Sequence, residues 1–227
     1  MSETFDLSLF WEYRLVLWRG LEVNALVFVL SLVLGLVLGL VACLVRLAPW
    51  KGLARAGGAY VELCRATPEY VALIWFHNVA PFLVGWATGI RINFNPIVSA
   101  TLALGIVASG YFAESFRAGI QAVPRGHVEA ARALGMGSML TFVRIVLPQA
   151  FRTMTPELMS QSIGLLKTST LVSVIAVPDI MYQVQMVSQQ EMKAMPLYTG
   201  AAISFFVLIF VLTSLVERAG LGTRREA

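Results

Sequence analysis

The chain has 227 residues, of which 58% are hydrophobic and only 13% charged, and its mean hydropathy is +0.76. A charged share about half that of an ordinary globular protein cannot cover a water-facing surface, so this composition argues against a soluble domain and indicates a membrane protein. The formal net charge of +4 does not indicate a nucleic-acid-binding protein, because the basic residues lie mostly between apolar runs and not in one patch.

The first predicted membrane span is the continuous apolar run at residues 21–44. At about 1.5 Å per residue it exceeds the roughly 30 Å of the hydrocarbon core, so it must cross, tilted if necessary. Gly35 and Gly39 form a G-x-x-x-G pattern within it, which permits close helix contact but often arises by chance. Residues 1–20 are predicted to form an N-terminal interfacial segment.

Four further spans are predicted, at residues 70–90, 95–116, 153–177 and 197–216. The fourth has the least defined start, because polar residues lower its hydropathy and Lys167 interrupts it. The predicted fold is therefore an all-α integral membrane protein with about five transmembrane helices. Its transmembrane domain covers residues 21–218, and residues 219–227 form a cytoplasmic tail.

The basic residues predict the orientation of these spans, because loops rich in Lys and Arg stay on the cytoplasmic side. With the N-terminus outside, the inner segments hold twelve of them: Arg46, Lys51, Arg55, Arg65, Arg117, Arg125, Arg132, Arg144, Arg152, Arg218, Arg224 and Arg225. The outer segments then hold four: Arg14, Arg19, Arg91 and Lys193. This asymmetry predicts an N-out, C-in arrangement, which agrees with an odd number of spans.

The segment between the third and fourth spans is too polar to cross a membrane and too regular for a loose loop. It predicts two short amphipathic helices. Pro124 is suited to open the first helix, and Gly135 is suited to end it in a left-handed conformation. Ser138 can cap the second helix, which Pro148 would end. Periodicity alone leaves open whether this pair lies at the lipid interface or binds a partner.

Residues 129–148, EAARALGMGSMLTFVRIVLP, resemble the EAA signature of the permease subunits of ABC importers. In that signature EAA, a glycine four residues beyond the second alanine and a terminal I-x-L-P recur at fixed spacing. The matching residues here are Glu129, Ala130, Ala131, Gly135, Ile145, Leu147 and Pro148. The resemblance implies that residues 121–150 form a cytoplasmic coupling-helix hairpin, which docks into a groove on a separate ATPase subunit.

The resemblance also implies roles for individual residues of this hairpin. Small Ala130 and Ala131 would allow close approach to the partner, and Gly135 would permit the sharp turn between the helices. Glu129 would add a charged contact, or it would pair with Arg125 or Arg132 in the same helix.

Residues 64–76, 109–136 and 165–182 are similar to the permeases of polar amino-acid importers, in which R-x-T-P is typical at the entry of the second span. The resemblance implies a permease that carries polar amino acids into the cytoplasm across the bacterial inner membrane. It implies two ATP-binding cassette subunits, a second permease copy or paralogue, and a periplasmic or extracellular solute-binding protein as partners. It implies no cofactor bound by this chain, since the partner subunits use ATP-Mg.

Lys167 is the first candidate for a substrate path, because a charge deep in the bilayer costs roughly 2.5 to 3.5 kcal/mol on insertion scales. With its neighbours Thr168, Ser169 and Thr170 it can meet a substrate carboxylate, or its stem can instead extend to the outer face. In the resembled family this segment lines the central cavity. Several members carry Asp or Asn where this chain has Thr168, which removes a carboxylate suited to a cationic side chain.

Glu114 is the second candidate, and it can either contact substrate or pair with Arg117 on the same helix face. Thr67 and Pro68 complete the candidate path, although Pro68 is also suited to starting or kinking the second helix. His77 is interpreted as a hydrogen-bonded membrane histidine and not as a proton relay.

The chain has no phosphate-binding G-x-x-x-x-G-K-[ST] pattern, and its two His and two Cys provide neither a metal-ligand spacing nor a catalytic set. A non-catalytic subunit without a metal site is therefore predicted. An ion-coupled secondary transporter of small polar solutes is the alternative, and it predicts inverted repeats, which the sequence does not show. A purely structural membrane subunit is a third hypothesis, under which Lys167 and Thr168 tolerate apolar replacement.

Overall fold

A computed structural model describes residues 8–90 and 93–218. Over these residues the chain is helical and contains no strand. The helices are α1 (Ser8–Glu12), α2 (Arg14–Arg46), α3 (Lys51–Ala66), α4 (Glu69–Ile74), α5 (Ala80–Thr88), α6 (Pro96–Gln121), α7 (Arg125–Ala133), α8 (Ser138–Thr141), α9 (Leu147–Thr168), α10 (Ile180–Glu191) and α11 (Ala194–Arg218). The predicted tail at 219–227, residues 1–7 of the predicted interfacial segment, and Arg91, Arg224 and Arg225 lie outside the described residues.

Five helical stretches are long and apolar enough to cross a membrane, which confirms the predicted all-α fold with five spans. They are Arg14–Arg46, Glu69–Thr88, Pro96–Gln121, Ser138–Ile175 and Ala194–Arg218. The first stretch begins ahead of the predicted start at residue 21, because the helix continues without a break from its aromatic and basic first turns into the apolar run.

The second stretch starts at a proline and contains a π turn. Pro68 is the N-cap residue of α4 and has an extended backbone, so it starts this helix, as the sequence predicts. A five-residue π turn, Trp75–Val79, then joins α4 to α5, and Pro81 follows shortly after it. Both α4 and the π turn are in contact with α6.

The fourth stretch runs as one helical path from Ser138 to Ile175, so the predicted end at Pro148 is wrong. A π turn, Phe142–Val146, precedes α9, and the Leu147 N–H bonds to Phe142 O, five residues earlier. A proline lacks an N–H, and its ring crowds the carbonyl four residues earlier in an α-helix. The wider turn accommodates both properties of Pro148, and the helix continues into the bundle.

α6 lies at the centre of the bundle, in contact with α2, α3, α4 and α9. Asn95 caps its start, with Oδ1 accepting a hydrogen bond from Ile97 N at 2.9 Å, and Pro96 occupies the first helical position. Its side chains Leu104 and Phe112 are almost completely buried in the main hydrophobic core. The other helices are therefore positioned largely by how they meet α6.

Side-chain contacts fix the direction of each crossing relative to α6. α2 runs parallel to α6, since Ser31 is near Thr101 whereas Arg46 is near Glu114. α9 runs antiparallel to α6, beginning beside Gly119. The α7–α8 hairpin consequently lies at the end of the bundle where α2 and α6 terminate, which we call the hairpin end.

Gly35 and Gly39 of α2 lie in the contact with α6. A methyl group on Gly39 would stand 2.8 Å from Phe112 Cβ and 2.9 Å from Ser109 O. A methyl group on Gly35 would stand 3.1 Å from the Phe112 ring and 3.2 Å from Gly105 O. The distances at Gly39 are too short for a real side chain and those at Gly35 are tight, so the G-x-x-x-G pattern is a packing contact and not a chance occurrence.

We expect Gly39→Ala to destabilise the protein by about 1 to 3 kcal/mol, the usual cost of overpacking, because the backbone of α6 blocks the added methyl group. Gly52→Ala is the matched control, because a Cβ there meets nothing within 4 Å. The free energy of unfolding in detergent, followed by circular dichroism, measures the difference. Equal stability of the two variants would show that α2 and α6 do not need this close contact.

Candidate functional site

The turn between α7 and α8 is closed by backbone hydrogen bonds around Gly135. Gly135 has φ +80°, in the left-handed region that the sequence predicts for it. Its N–H bonds to Arg132 O at 2.9 Å, and the Met136 N–H bonds to Ala131 O at 3.1 Å. This pair of bonds is the Schellman arrangement of a helix C-terminus. Gly137 occupies the N-cap of α8, so the predicted cap at Ser138 is wrong, because Ser138 is already the first helical residue.

The hairpin is attached to the bundle by a small apolar cluster. Val123, Val146 and Ala150 form its buried part, and Val128 packs against it. His127 Nδ1 lies 2.8 Å from Gln149 Oε1, which adds a polar link between α7 and α9. The hairpin therefore connects directly to the ends of both α6 and α9.

The signature residues divide into an attached set and an exposed set. Ala131 is only 4% exposed and is covered by the chain itself, so the expectation that it approaches a partner is wrong, and Ala130 alone is available for that role. Glu129, Gly135, Leu147 and Pro148 are exposed, and Ile145 is half-buried. Within the part of the chain that the structure describes, no ion pair reaches Glu129, so its predicted pairing with Arg125 or Arg132 is not formed.

The tip of the hairpin presents large apolar side chains to its surroundings. Leu134 is 83% exposed and Met139 is 75% exposed. Leu134 is the C-cap residue of α7, where the chain leaves the helix, which carries its side chain away from the buried face. This apolar tip, together with exposed Glu129 and Ala130, has the composition of a docking surface.

A cavity of about 110 Å³ lies between α4, α6 and α9, toward the middle of the bundle. Its polar lining comes from Glu69, Tyr111, Gln161 and Thr168. Its apolar lining comes from Leu104, Val107, Ala108, Phe112 and Leu165. Sequence analysis proposed Thr168 for a substrate path but did not foresee that Glu69 faces the same space. The carboxylate of Glu69, the phenol of Tyr111 and the hydroxyl of Thr168 therefore line the same cavity.

The predicted polar segment Lys167, Thr168, Ser169 and Thr170 lies where α9 ends and a 3-10 turn, Ser169–Ile175, begins. Lys167 is exposed at the surface of the single chain, Ser169 is buried, and the two threonines are half-buried. Thr168 Oγ1 donates to Gly164 O at 3.1 Å, and Thr170 Oγ1 donates to Lys167 O at 2.9 Å. These side-chain orientations are therefore tied to the local backbone.

Glu114 is bound by two guanidinium groups near the hairpin end. Arg117 donates to both carboxylate oxygens, which confirms the ion pair that the sequence allows. Arg46, at the end of α2, donates to Oε2 at 2.6 Å, a contact that the sequence does not reveal because the two residues are far apart in the chain. While these pairs persist, the carboxylate of Glu114 is not free for a substrate ammonium group.

α3 packs along α6, so Arg65 lies in a helix beside α6, with its side chain exposed, and not in a loop. A methyl group on Gly110 would stand 2.7 Å from Cys64 Cβ, which shows how close the two helices are. The Arg65 guanidinium lies 5.9 Å from the centre of the Tyr111 ring, and Tyr111 Oη donates to Arg65 O at 3.3 Å. A cation therefore sits close to the residues that line the cavity.

Two other residues that the sequence suggested, Thr67 and His77, form hydrogen bonds within the chain. Thr67 Oγ1 donates to Leu63 O at 2.7 Å and ends α3, immediately before Pro68. His77 Nδ1 lies 3.1 Å from Ser99 Oγ, which agrees with its interpretation as a hydrogen-bonded histidine. Within the described residues no group of three or more potential metal ligands is present.

A buried polar network joins α2 to the chain between the fourth span and α10. Asn24 and Asp179 are both completely buried, and Asn24 Nδ2 donates to Asp179 Oδ2 at 3.1 Å. Asp179 also caps α10, since its Oδ1 accepts from Tyr182 N at 2.9 Å. Burial raises the pKa of the Asp179 carboxyl to about 6, against the opposing effect of these hydrogen bonds. Sequence analysis missed both residues, although a lone amide inside an apolar run is a detectable signal.

Residues 31–224 match the family described as binding-protein-dependent transport system inner membrane component. The arginine ABC transporter permease protein ArtQ of Haemophilus influenzae is 33% identical over 162 residues, which are 71% of each chain. The probable glutamine ABC transporter permease protein GlnM of Bacillus subtilis is 31% identical over 86% of this chain and 87% of the relative. The glutamate/aspartate import permease protein GltK of Escherichia coli is 30% identical over 87% of this chain and 89% of the relative.

Solved structures with the same architecture include a crystal structure of an amino acid ABC transporter with histidines. It matches with a TM-score of 0.85 and 29% identity, over 93% of this chain and 96% of that chain. An inward-facing structure of the MetNI methionine ABC transporter matches with a TM-score of 0.71 over 98% of this chain and 100% of that chain. Its identity of 19% supports the shared fold alone.

Proposed function

The chain belongs to the family of binding-protein-dependent transport system inner membrane components, and we propose that it carries polar amino acids along a path that includes Lys167 and Thr168. It is a multi-pass protein of the bacterial inner membrane and the permease subunit of an amino-acid ABC importer. In this family the ATPase activity resides in separate subunits and a binding protein supplies the substrate. Membership does not favour the alternative of an ion-coupled secondary transporter.

The full assembly that we propose contains two ATP-binding cassette subunits, a second permease that is a copy or a paralogue, and one external solute-binding protein. A path enclosed by two permeases would give Lys167, which is exposed in the single chain, a wet surface instead of lipid. ATP-Mg would bind only to the cassette subunits. Residues 121–150 would transmit their closure to the spans by alternating access.

One observation carries this proposal: the signature hairpin projects an apolar tip from one end of a five-span bundle and is tied to the ends of two core helices. The charge tally of the sequence would place that end in the cytoplasm, where the ATPase subunits reside. The N-out, C-in orientation is therefore part of the proposal.

We expect a cysteine at Arg132 to react with a membrane-impermeant maleimide only when the reagent reaches the cytoplasmic side. A cysteine at Thr88, which ends α5 at the opposite end of the bundle, is the control and reacts from outside. Native Cys43 and Cys64 are buried, which limits background labelling. Labelling of intact cells at Arg132→Cys would contradict the orientation and, with it, the docking role of the hairpin.

We expect Gly135→Val to uncouple ATP hydrolysis from transport, because a β-branched residue is strained at φ +80° and disrupts the turn. Gly126→Val is the matched control on α7, since Gly126 has no close neighbour and no left-handed backbone. Amino-acid uptake and substrate-stimulated ATPase activity are measured on reconstituted complexes of equal composition. Uptake by Gly135→Val at the parental rate would show that the coupling role is wrongly assigned.

The residues that line the cavity also suggest which class of amino acid the protein transports. Thr168 provides no carboxylate at its position, but Glu69 faces the same cavity and provides one. Because Arg65 lies beside Tyr111, a positively charged side chain and the negatively charged Glu69 both lie near the cavity. We propose that Glu69 binds the cationic side chain of a polar amino acid through a charge-assisted hydrogen bond.

We expect Glu69→Gln to reduce uptake of arginine about tenfold relative to glutamine, since a lost hydrogen bond to a charged group is worth roughly 1.5 to 3 kcal/mol. Glu62→Gln, on the exposed surface of α3, is the control. Competition between labelled and unlabelled amino acids in proteoliposomes measures the ratio. An equal loss for both substrates, or a parental complex that carries no cationic amino acid, would contradict this assignment of Glu69.

A further inference from the structure

Asn24 is a polar residue in the first span whose amide is fully used in hydrogen bonds. Its Nδ2 donates to Ser169 O at 3.0 Å and to Asp179 Oδ2 at 3.1 Å. Its Oδ1 accepts from Ile180 N at 3.1 Å. Since Asn24 is completely buried, each of these partners would lose its bond without a water to replace it if the amide were removed.

Two of these bonds tie α2 to the beginning of α10. Asp179 Oδ2 and Ile180 N belong to the N-terminus of α10, and Gly20, one turn before Asn24, lets that backbone come close. A methyl group on Gly20 would stand 2.6 Å from Ile180 Cα. This part of the network is a structural attachment.

The third bond reaches a different place. Ser169 is the first residue of the 3-10 turn that follows α9, and it lies between Thr168 and Thr170. Its hydroxyl donates to Leu166 O at 2.8 Å, and Asn24 Nδ2 donates to its carbonyl at 3.0 Å and to its hydroxyl oxygen at 3.4 Å, so Asn24 is a separate constraint on Ser169. The neighbouring Thr168 lines the cavity through a side chain fixed to its own helix. A shift of the Ser169 carbonyl would therefore move the residues on either side of it.

We infer that Asn24 is a positioning residue for transport, which acts through the Ser169 carbonyl to fix the orientation of Lys167, Thr168 and Thr170 toward the substrate. The inference rests on the proposed function, because it assigns Asn24 to the path proposed there. Asn24 itself does not line the cavity and does not touch substrate.

Exchange of the two side chains separates positioning from attachment. In the double variant Asn24→Asp with Asp179→Asn, a carboxylate at 24 accepts from Ile180 N and from the new amide at 179. The amide oxygen at 179 accepts from Tyr182 N, so every bond between α2 and α10 is kept. The donor to Ser169 O and Oγ is lost, because a carboxylate has no hydrogen to give, and a carboxylate oxygen then faces the Ser169 carbonyl.

We expect the exchanged variant to assemble and to melt somewhat below the parent, since a buried bond is lost, but to show an apparent KM for amino-acid uptake raised about three- to tenfold, the size of one lost hydrogen bond. The ratio of uptake rates within a panel of amino acids should also change, while the maximal ATPase rate stays at the parental value. Uptake and ATPase activity are measured on the complete complex in proteoliposomes with saturating binding protein. A change in the ratio of uptake rates between amino acids would indicate a positioning role, because a general loss of stability would lower the uptake rates of all amino acids together.

Asp179→Ala provides the reciprocal case, since it removes the Asn24 to Asp179 bond and the cap of α10 but leaves the Asn24 to Ser169 bond and the Ile180 N–H bond. It should lower the melting temperature and leave the apparent KM and the selectivity unchanged. Ser31→Ala, another completely buried polar position on α2, is the control for burial alone.

Parental KM and selectivity in the exchanged variant would overturn the inference, and so would an exchanged variant that does not assemble, because its other bonds would be formed. A KM shift in Asp179→Ala as large as in the exchanged variant would overturn it as well. A parental complex without amino-acid uptake would instead refute the proposed function, which keeps the two failures distinguishable.

Discussion

Close approach of helices to α6 is the constraint on which the rest of the structure depends. In lipid there is little hydrophobic drive between helices, so association relies on van der Waals contact and requires small residues at the interface. α6 provides a glycine for each of three neighbours: Gly105 faces Leu34 of α2, Gly110 faces Cys64 of α3, and Gly119 faces Met154 of α9. Each of these glycines would clash with its neighbour if it carried a methyl group. α6 is therefore a template that fixes the position of three other elements at once.

This arrangement connects the two ends of the proposed mechanism. The hairpin is continuous with α6 on one side and α9 on the other, and the cluster around Val146 and Ala150 fixes it to both. The same two helices bring Tyr111 and Thr168 to the cavity. If a partner displaces the hairpin, as we propose, the packed helices α6 and α9 would transmit that displacement to two walls of the cavity.

The sequence predicted features that depend on composition or on local spacing. Five apolar runs predict five spans, Gly135 predicts its own left-handed turn, and Glu114 lies three residues from Arg117. It did not predict contacts between residues far apart in the chain, such as those of Asn24 with Ser169 and Asp179. For a related reason the sequence did not predict that the helix continues past Pro148, which a π turn accommodates. It also did not predict that Ala131 is buried, because the folded chain decides which face of a short helix is covered.

The π turns have a consequence for any comparison of helix faces in this chain. Each one is geometrically the insertion of a single residue, and one residue corresponds to a rotation of about 100° around the helix axis. A helical wheel drawn continuously through Trp75–Val79 or Phe142–Val146 therefore assigns the residues beyond the turn to the wrong face. Loss of one residue within either turn would therefore convert it to an ordinary α turn and leave the side chains beyond it on their present faces, whereas the same loss elsewhere in the span would rotate them by about 100°.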